Sequence, residues 1–483
     1  MNRIARTPAI SLLALAIGAI SLPAAADESA LIEKLEQKGV LSAQEAAELR
    51  NEMDTDGAEQ EGGYVKADEV EGEKTKTRVR RFTVSDEEGE NIFRVRGRVM
   101  LDGEIADFDE ELEEIANNGE KIPEYGTTVR RARLGVRGRM YENFEWQLET
   151  DFRESNVRFA NVYLAYLMDE GRLAVGNFKE PFSLESETSS RYTTFMERAA
   201  PVDAYRASPS RSLGLMYQTV KPRYYVAAGL FGGNLNEEID NERDKIEKGY
   251  GFAGRTSFAP YFENGNFAHI GASYAWRQNA TLGDSWLTTD LRTREGARGV
   301  DIQLIGEQQI PGVEDYSRYA LEAAFGYGPF SVQAEYLAVN LTNDPDNPVS
   351  PKPDGGTETA DNPDTDITQD GFYIQGSYFL TGESRNYRPS AGDFGRITPN
   401  RNFNPASGDW GAFEVALRYA DADSSEATKM DDGQTLEHWT LGLNWYLNPE
   451  MLVKFNAMRF DATRNGLPDG SGTVFASRLQ YEF

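Results

Sequence analysis

The chain has 483 residues with 50 basic and 79 acidic side chains, a net charge of -29, which excludes the broad basic surface that a nucleic-acid partner requires. It has no cysteine and two histidines, His269 and His438, so disulfide frameworks, thiolate zinc sites and cysteine nucleophiles are excluded as well. With 23 Tyr and 25 Phe, the composition suits strands and membrane-interface girdles.

Residues 1–26 read as a secretory signal: Arg3 and Arg6, the short apolar run Ile10 to Leu22, then Ala24, Ala25 and Ala26 before Asp27. That run is too short for a permanent membrane helix, and no later window holds 18 uninterrupted apolar residues. Residues 27–53 carry Leu31, Ile32, Leu35, Val40, Leu41, Ala46 and Leu49 at near-helical spacing, interrupted at Lys38-Gly39, with Ser42 and Glu45 as a capping box. This predicts a short helical hairpin or coiled coil, acting as a spacer or as a binding element. Residues 54–90 are charged and read as a linker.

From residue 91 to 483 the period becomes two. In "NIFRVRGRVMLDGEI", Phe93, Val95, Val99, Leu101 and Ile105 oppose Arg94, Arg96 and Arg98; in "VRRARLGVRGRMY", Ala132, Leu134, Val136 and Met140 oppose Arg131, Arg133, Arg137 and Arg139. The same alternation sets Phe144, Trp146, Leu148 and Phe152 against Glu145, Gln147, Glu149 and Asp151. It recurs to the end, where Phe475, Leu479, Tyr481 and Phe483 oppose Arg478, Gln480 and Glu482.

A soluble β-sandwich also alternates, but the connections here do so in length. Those at 141–143, 169–171, 326–329 and 447–449 are short, while 108–127, 180–210, 233–249, 279–316 and 341–369 are long. This asymmetry marks an outer-membrane barrel. Seventeen strand candidates would leave the termini on opposite sides; requiring the short turns to share one side moves Trp286 to Arg294 into a long loop and leaves 16. The expectation is an all-β, 16-stranded antiparallel transmembrane β-barrel with a short N-terminal helical segment. Periodicity gives no conformation for 382–409, which is long yet falls on the short-turn side.

An arginine on the lipid face costs roughly 2 to 4 kcal/mol at the bilayer midplane, so the seven in the first two strands would cost up to about 28, more than the roughly 5 to 15 kcal/mol that holds a domain together. They must face a wet interior, and a barrel of about 16 strands leaves an aqueous channel. Antiparallel pairing gathers Arg94, Arg96, Arg98, Arg131, Arg133, Arg137 and Arg139 on one wall. There they form a path for anions or a structural charge ladder neutralised by Glu145, Glu149 and Asp151. The external loops are acidic: residues 104–114 hold seven carboxylates and no cation. They read as a solvated surface. "DNPDTDITQD" does not match a calcium loop, no catalytic constellation is visible, and nothing calls for a cofactor or a metal.

The phrases "GNFKEPFSLESETSSRYTTFMERAAPVDAYRASPSRSLG" (176–214), "YGPFSVQAEYL" (327–337), "YFLTGESRNY" (378–387), "WGAFEVALRY" (410–419) and "LGLNWYLNP" (441–449) resemble the phosphate-selective porin O and P family. The resemblance implies a trimer in the outer membrane and passive uptake of phosphate or polyphosphate through an arginine-lined lumen. It also implies an inward third loop, here 180–210, with Lys179, Arg191 and Arg198 as constriction residues. The family's fifth-loop arginine ladder is matched at Arg292, Arg294 and Arg298, while Asp290 occupies its first rung. By the same resemblance, residues 27–53 form a periplasmic trimeric coiled coil.

The expected function is passive diffusion of inorganic phosphate or other small anions across the outer membrane of a Gram-negative-type bacterium. A weakly selective diffusion porin is the alternative within that class. An outer-membrane enzyme and a surface-binding barrel are the alternatives outside it.

Overall fold

The computed structural model describes residues 77–80, 82–86, 90–117, 121–153, 157–205, 211–219, 221–235, 246–247, 249–282, 285–286, 293–294, 298–300, 303–305, 310–351, 357–359, 366–424, 433–464 and 466–483. The signal sequence, the helical hairpin and the first part of the linker lie outside these residues. The chain divides into two compact units, with the boundary in the sequence between Arg94 and Val95. In the first, the expected linker is not structureless throughout: Thr77–Arg80 and Thr83–Asp86 pair antiparallel, and the second of these pairs with Ile92, Phe93 and Arg94. Val79, Thr83 and Val84 are strand-formers, and the two segments are close enough in sequence to close a hairpin.

Sixteen long strands build the barrel: β1 (Ile92–Phe108), β2 (Tyr125–Met140), β3 (Phe144–Asp151), β4 (Arg158–Met168), β5 (Gly171–Phe178), β6 (Ser212–Thr219), β7 (Tyr224–Phe231) and β8 (Gly251–Glu263), followed by β9 (Asn266–Gln278), β10 (Val313–Tyr327), β11 (Phe330–Asn343), β12 (Ile367–Phe379), β13 (Ala412–Asp423), β14 (Gln434–Asn448), β15 (Met451–Arg464) and β16 (Gly470–Glu482). Sequence neighbours pair antiparallel, and β16 returns to β1 with Leu479 opposite Leu101. The seam is sealed by the Gly97 N–H to the Phe483 carbonyl (2.9 Å) and the Phe483 N–H to the Gly97 carbonyl (3.1 Å). Closure leaves no unpaired edge, which backbone in hydrocarbon cannot tolerate.

The expected alternation is present. Val99, Leu101, Phe144, Leu148, Ile270, Leu417, Leu441 and Phe475 are exposed on the outer wall, whereas Arg98, Arg133, Glu149, His269, Arg418, Thr440 and Arg478 are buried within. Aromatic pairs mark both rims: Phe413 with Trp445 near the turn end and Tyr419 with Trp439 near the loop end. In the segment 281–305 the described residues form only the short strands Thr281–Leu282, Ser285–Trp286, Thr293–Arg294 and Gln303–Ile305, which pair outside the barrel sheet.

Two segments fold inward. From the loop end, residues 179–205 carry α2 (Leu184–Glu187) and α3 (Ala200–Tyr205), after α1 (Glu110–Asn117) in the first loop. Val202 and Tyr205 join the buried cluster that includes Leu337, Tyr373, Ala420 and Phe460 of the opposite strands. From the turn end, residues 380–411, whose course periodicity left open, bend into the barrel. Tyr387 and Phe394 pack with Phe267, Ala259, Ala324 and Leu184 of α2. Gly392 makes this fold available: its φ of 60° and the 2.3 Å that would separate an added Cβ from Ser257 Oγ leave room for no side chain.

Leu441 faces lipid at mid-strand and is 58% exposed, while its neighbour Thr440 is fully enclosed. Leu441→Arg is expected to reduce folding stability in lipid by about 2 to 4 kcal/mol. Denaturant titration of the folded barrel in liposomes checks this, and an effect near zero would mean that this wall does not contact hydrocarbon.

Candidate functional site: the cationic lumen

The wall formed by β1, β2 and β3 collects the arginines whose spacing placed them together. Arg94 belongs to the N-terminal unit, where its Nε donates to Thr83 Oγ1 at 3.0 Å. Arg96 lies within electrostatic reach of Arg137, Arg191 and Glu149. Arg98 is buried beside Arg133, Glu149, Arg191 and Arg211, and its Nη1 donates to Ser190 Oγ at 3.2 Å. Arg191, on the inward loop, bridges to Glu482 at 3.0 Å and lies over the Tyr192 ring.

Arg131 and Arg133 of this wall are partnered. Arg133 Nε reaches Asp151 at 2.7 Å, Arg131 approaches the same carboxylate at 3.6 Å, and Glu149 lies 3.9 Å from Arg133. Glu145 instead takes Arg172 at 2.5 Å and accepts the Tyr163 hydroxyl at 2.8 Å. Arg139 pairs in register with Glu145 through the backbone. The carboxylates of β3 thus neutralise some arginines and leave others: Arg96 and Arg137 make neither a hydrogen bond nor an ion pair within the described residues, and both are half-buried at the lumen surface.

The constriction residues implied by resemblance hold the loop itself. Lys179 Nζ donates to the Ser186 and Glu187 carbonyls at 2.6 and 3.0 Å, and burial lowers its ammonium pKa well below the ordinary value. Arg198 binds the carbonyls of Glu185, Ser186 and Thr188 at 2.9, 3.3 and 3.1 Å. Arg298, the last rung of the ladder, pairs with Asp203 at 2.9 Å and approaches Glu197 at 3.8 Å. Arg294 takes part in a two-residue bridge, its side chain lying outside the described residues, as does Arg292 entirely.

Several inward cations did not emerge from the sequence. Arg130 is buried against Glu197 at 2.5 Å, although β2's inward residues were expected at odd positions. The inward face passes from even to odd numbers between Arg130 and Arg133, an irregularity that strict period-two reading overlooks. Arg318 reaches Glu180 at 2.7 Å and shares it with Arg277, whose inward place did follow from its alternation with Tyr274 and Trp276. Lys454 was findable: on β15 it alternates with Val453 and Phe455. His269 stands between the Tyr387 hydroxyl (2.7 Å) and Glu322 (3.2 Å), and Glu322 is held by Arg255 at 2.7 Å, so this histidine is a wall-to-turn contact.

Glu197 is the hub of the inward loop. Burial by itself would push its carboxyl up, but Arg130, Arg478 and Arg298 together hold it well below the usual range. A carboxyl with a depressed folded pKa contributes stability above the unfolded value, about 4.3, and loses it as pH falls through the folded one. Loop closure is therefore expected to be flat from pH 7 to about 4.3 and to loosen only in stronger acid. Single-channel conductance across that range reads this; a rise centred near neutrality would remove Glu197 from the role.

A closed, trans-bilayer barrel with a wet, charged interior narrowed by an inward loop defines a porin of the outer membrane. The chain belongs to the family described as phosphate-selective porin O and P, which it matches over residues 97–483. Among curated relatives, Porin O of Pseudomonas aeruginosa is 29% identical over 387 residues, covering 73% of this chain and 81% of that one. Among solved structures, an anion-selective porin from Comamonas acidovorans is similar at 14% identity and a TM-score of 0.49, covering 82% of this chain and 100% of the other. The outer membrane channel DcaP of Acinetobacter baumannii is similar at 11% identity and a TM-score of 0.49, covering 81% of this chain and 97% of its own. In an outer-membrane barrel the short turns and both ends of the strand set face the periplasm.

Proposed function

We propose that the porin passes small anions, phosphate foremost, along the β1–β3 wall. The observation that carries this reading is the pair of unpartnered guanidiniums, Arg96 and Arg137, beside Arg98 and Arg191. A guanidinium offers a fixed fork of N–H donors suited to phosphate oxygens and remains charged at all ordinary pH. An oxyanion arriving here exchanges water for these donors, while Glu149, and Glu482 through Arg191, keep the site from holding it too tightly. Arg94, Arg131, Arg133, Arg139, Lys179, Arg198, Arg292, Arg294 and Arg298 belong to the same reading as contributors to the field along the path. The path acts without enzyme chemistry.

Porin O of Pseudomonas aeruginosa and the family description point the same way. The homotrimer, the cleaved signal at 1–26 and the periplasmic coiled coil at 27–53 belong to this reading too. An apolar concavity on the outer wall, lined by Ile105, Tyr125, Leu441, Leu443, Phe455 and Phe475, suits the acyl chains of outer-membrane lipid. One observation favours the weakly selective alternative: Arg298 of the ladder is engaged by Asp203 and Glu197 rather than free.

Chloride current through the protein in a planar bilayer, with phosphate added as a blocker, tests the proposal. Arg96→Ala and Arg137→Ala are each expected to raise the half-blocking phosphate concentration about ten-fold, since a hydrogen bond to a charged group is worth roughly 1.5 to 3 kcal/mol and 1.4 kcal/mol is ten-fold. Unchanged block in both variants would take these residues off the path. A reversal potential showing preference for potassium over chloride would overturn the anion reading altogether.

A further inference from the structure

We propose that the inward-facing cations of β13, β15 and β16 are a carbonyl clamp that sets the aperture of the channel, and that they are not stations on its path. An ionisable residue inside a membrane protein reads by default as part of an ion pathway. On this side of the barrel the loop takes up donors of all three cations, and Arg418 Nε is the one buried donor among them without a hydrogen-bond partner within the described residues.

Between Thr193 and Glu197 the inward loop bends along the wall and presents five successive carbonyl oxygens to it. Lys454 on β15 is completely enclosed, and its Nζ meets the carbonyls of Thr193, Thr194 (3.4 Å) and Phe195 (3.3 Å). An ammonium has three N–H donors, so none is left for a passing anion. Asn444 on β14 donates to the Thr194 carbonyl at 2.8 Å, and its amide also reaches Glu414 at 2.8 Å. Arg478 on β16 donates to the Met196 carbonyl, while its other donors go to Asp102 (2.7 and 2.6 Å) and Glu197 (2.7 Å). Arg418 on β13 donates to the Glu197 carbonyl at 3.1 Å and lies 4.5 Å over the Phe195 ring.

Strand position makes this possible. Four neighbouring strands each contribute one donor to consecutive peptide units, so the loop is held along its length and not at a single point. Gly442 opens the wall at the contact, because a Cβ there would stand 3.0 Å from the Phe195 ring. A second anchor lies at the start of the loop: Glu335 on β11 accepts the N–H groups of Leu184 and Glu185, each at 2.8 Å. The clamp also turns five carbonyl dipoles away from the passage, where their negative ends would oppose an anion. The inference rests on the barrel being a channel and is independent of which solute uses it.

The two roles differ in sign. If Lys454 is a positioning residue, Lys454→Met frees the loop: single-channel conductance in potassium chloride rises about two-fold, and open-channel noise increases. If Lys454 is a station, its removal lowers conductance and leaves the noise unchanged, which would overturn the proposal. Lys454→Arg retains donors and a charge, and is expected to stay quieter and less conductive than Lys454→Met; equal behaviour of the two would also count against the clamp. The chain has no cysteine, so Thr194→Cys introduces a single thiol at a position now buried. Its modification by a methanethiosulfonate reagent is expected to be at least ten-fold faster in the Lys454→Met background, and equal rates would refute loop release. Should Lys454→Met not fold, as judged by heat-modifiable electrophoretic mobility, Asn444→Ala removes one carbonyl contact and is expected to shift conductance and noise in the same direction; no shift there would refute the clamp.

Discussion

A guanidinium in a bilayer is tolerable where a wall of fully paired backbone separates it from hydrocarbon. That requirement governs the architecture. Within the hydrocarbon every strand must turn its charges to one side, sixteen strands must close so that no peptide edge meets lipid, and the enclosed space must be wet. The seam between Gly97 and Phe483 completes this arrangement by pairing the last strand with the first.

Once enclosed, the cations face a second problem, mutual repulsion in a space that screens poorly. The protein answers with carboxylates set on adjacent strands and on the inward loop. Asp151, Glu180, Glu197 and Glu322 each serve one or more arginines. Glu197 and Glu180 lie on the loop, and Arg130, Arg478, Arg277 and Arg318 lie on the wall, so the same ion pairs that quiet the lumen also dock the constriction. Backbone carbonyls take over where carboxylates are absent, along Thr193 to Glu197. Charge balance in the lumen and docking of the loop are therefore built from one set of interactions.

The parts of this design that repeat were legible in the sequence. Period two, applied to β1, β3, β9, β13, β14 and β16, assigned the inward and outward residues that the fold contains, and the side-sharing rule for short turns reduced seventeen strands to sixteen. The parts that do not repeat were not legible. Arg130 turned inward at an irregularity that alternation cannot express. Residues 380–411 fold into the lumen because Tyr387 and Phe394 find Phe267 and Leu184, residues more than a hundred positions away, and such a match has no local signature. The resemblance assigned Lys179 and Arg198 to a constriction, yet it could not tell whether their donors face the passage or the loop's own carbonyls.

This distinction between occupied and unoccupied donors decides what a cation in a pore can do. An arginine whose N–H groups are already bonded contributes its field but offers no coordination, whereas a free one does both. A lumen in which every arginine was free would bind a phosphate at many donors at once and release it slowly. A lumen in which every arginine was paired would barely distinguish anions from cations. Here the pairing is uneven: dense along β13 to β16, where the loop is pressed to the wall, and incomplete at Arg96 and Arg137. Transport needs that imbalance, because attraction must be strong enough to draw an anion in and sparse enough to let it leave.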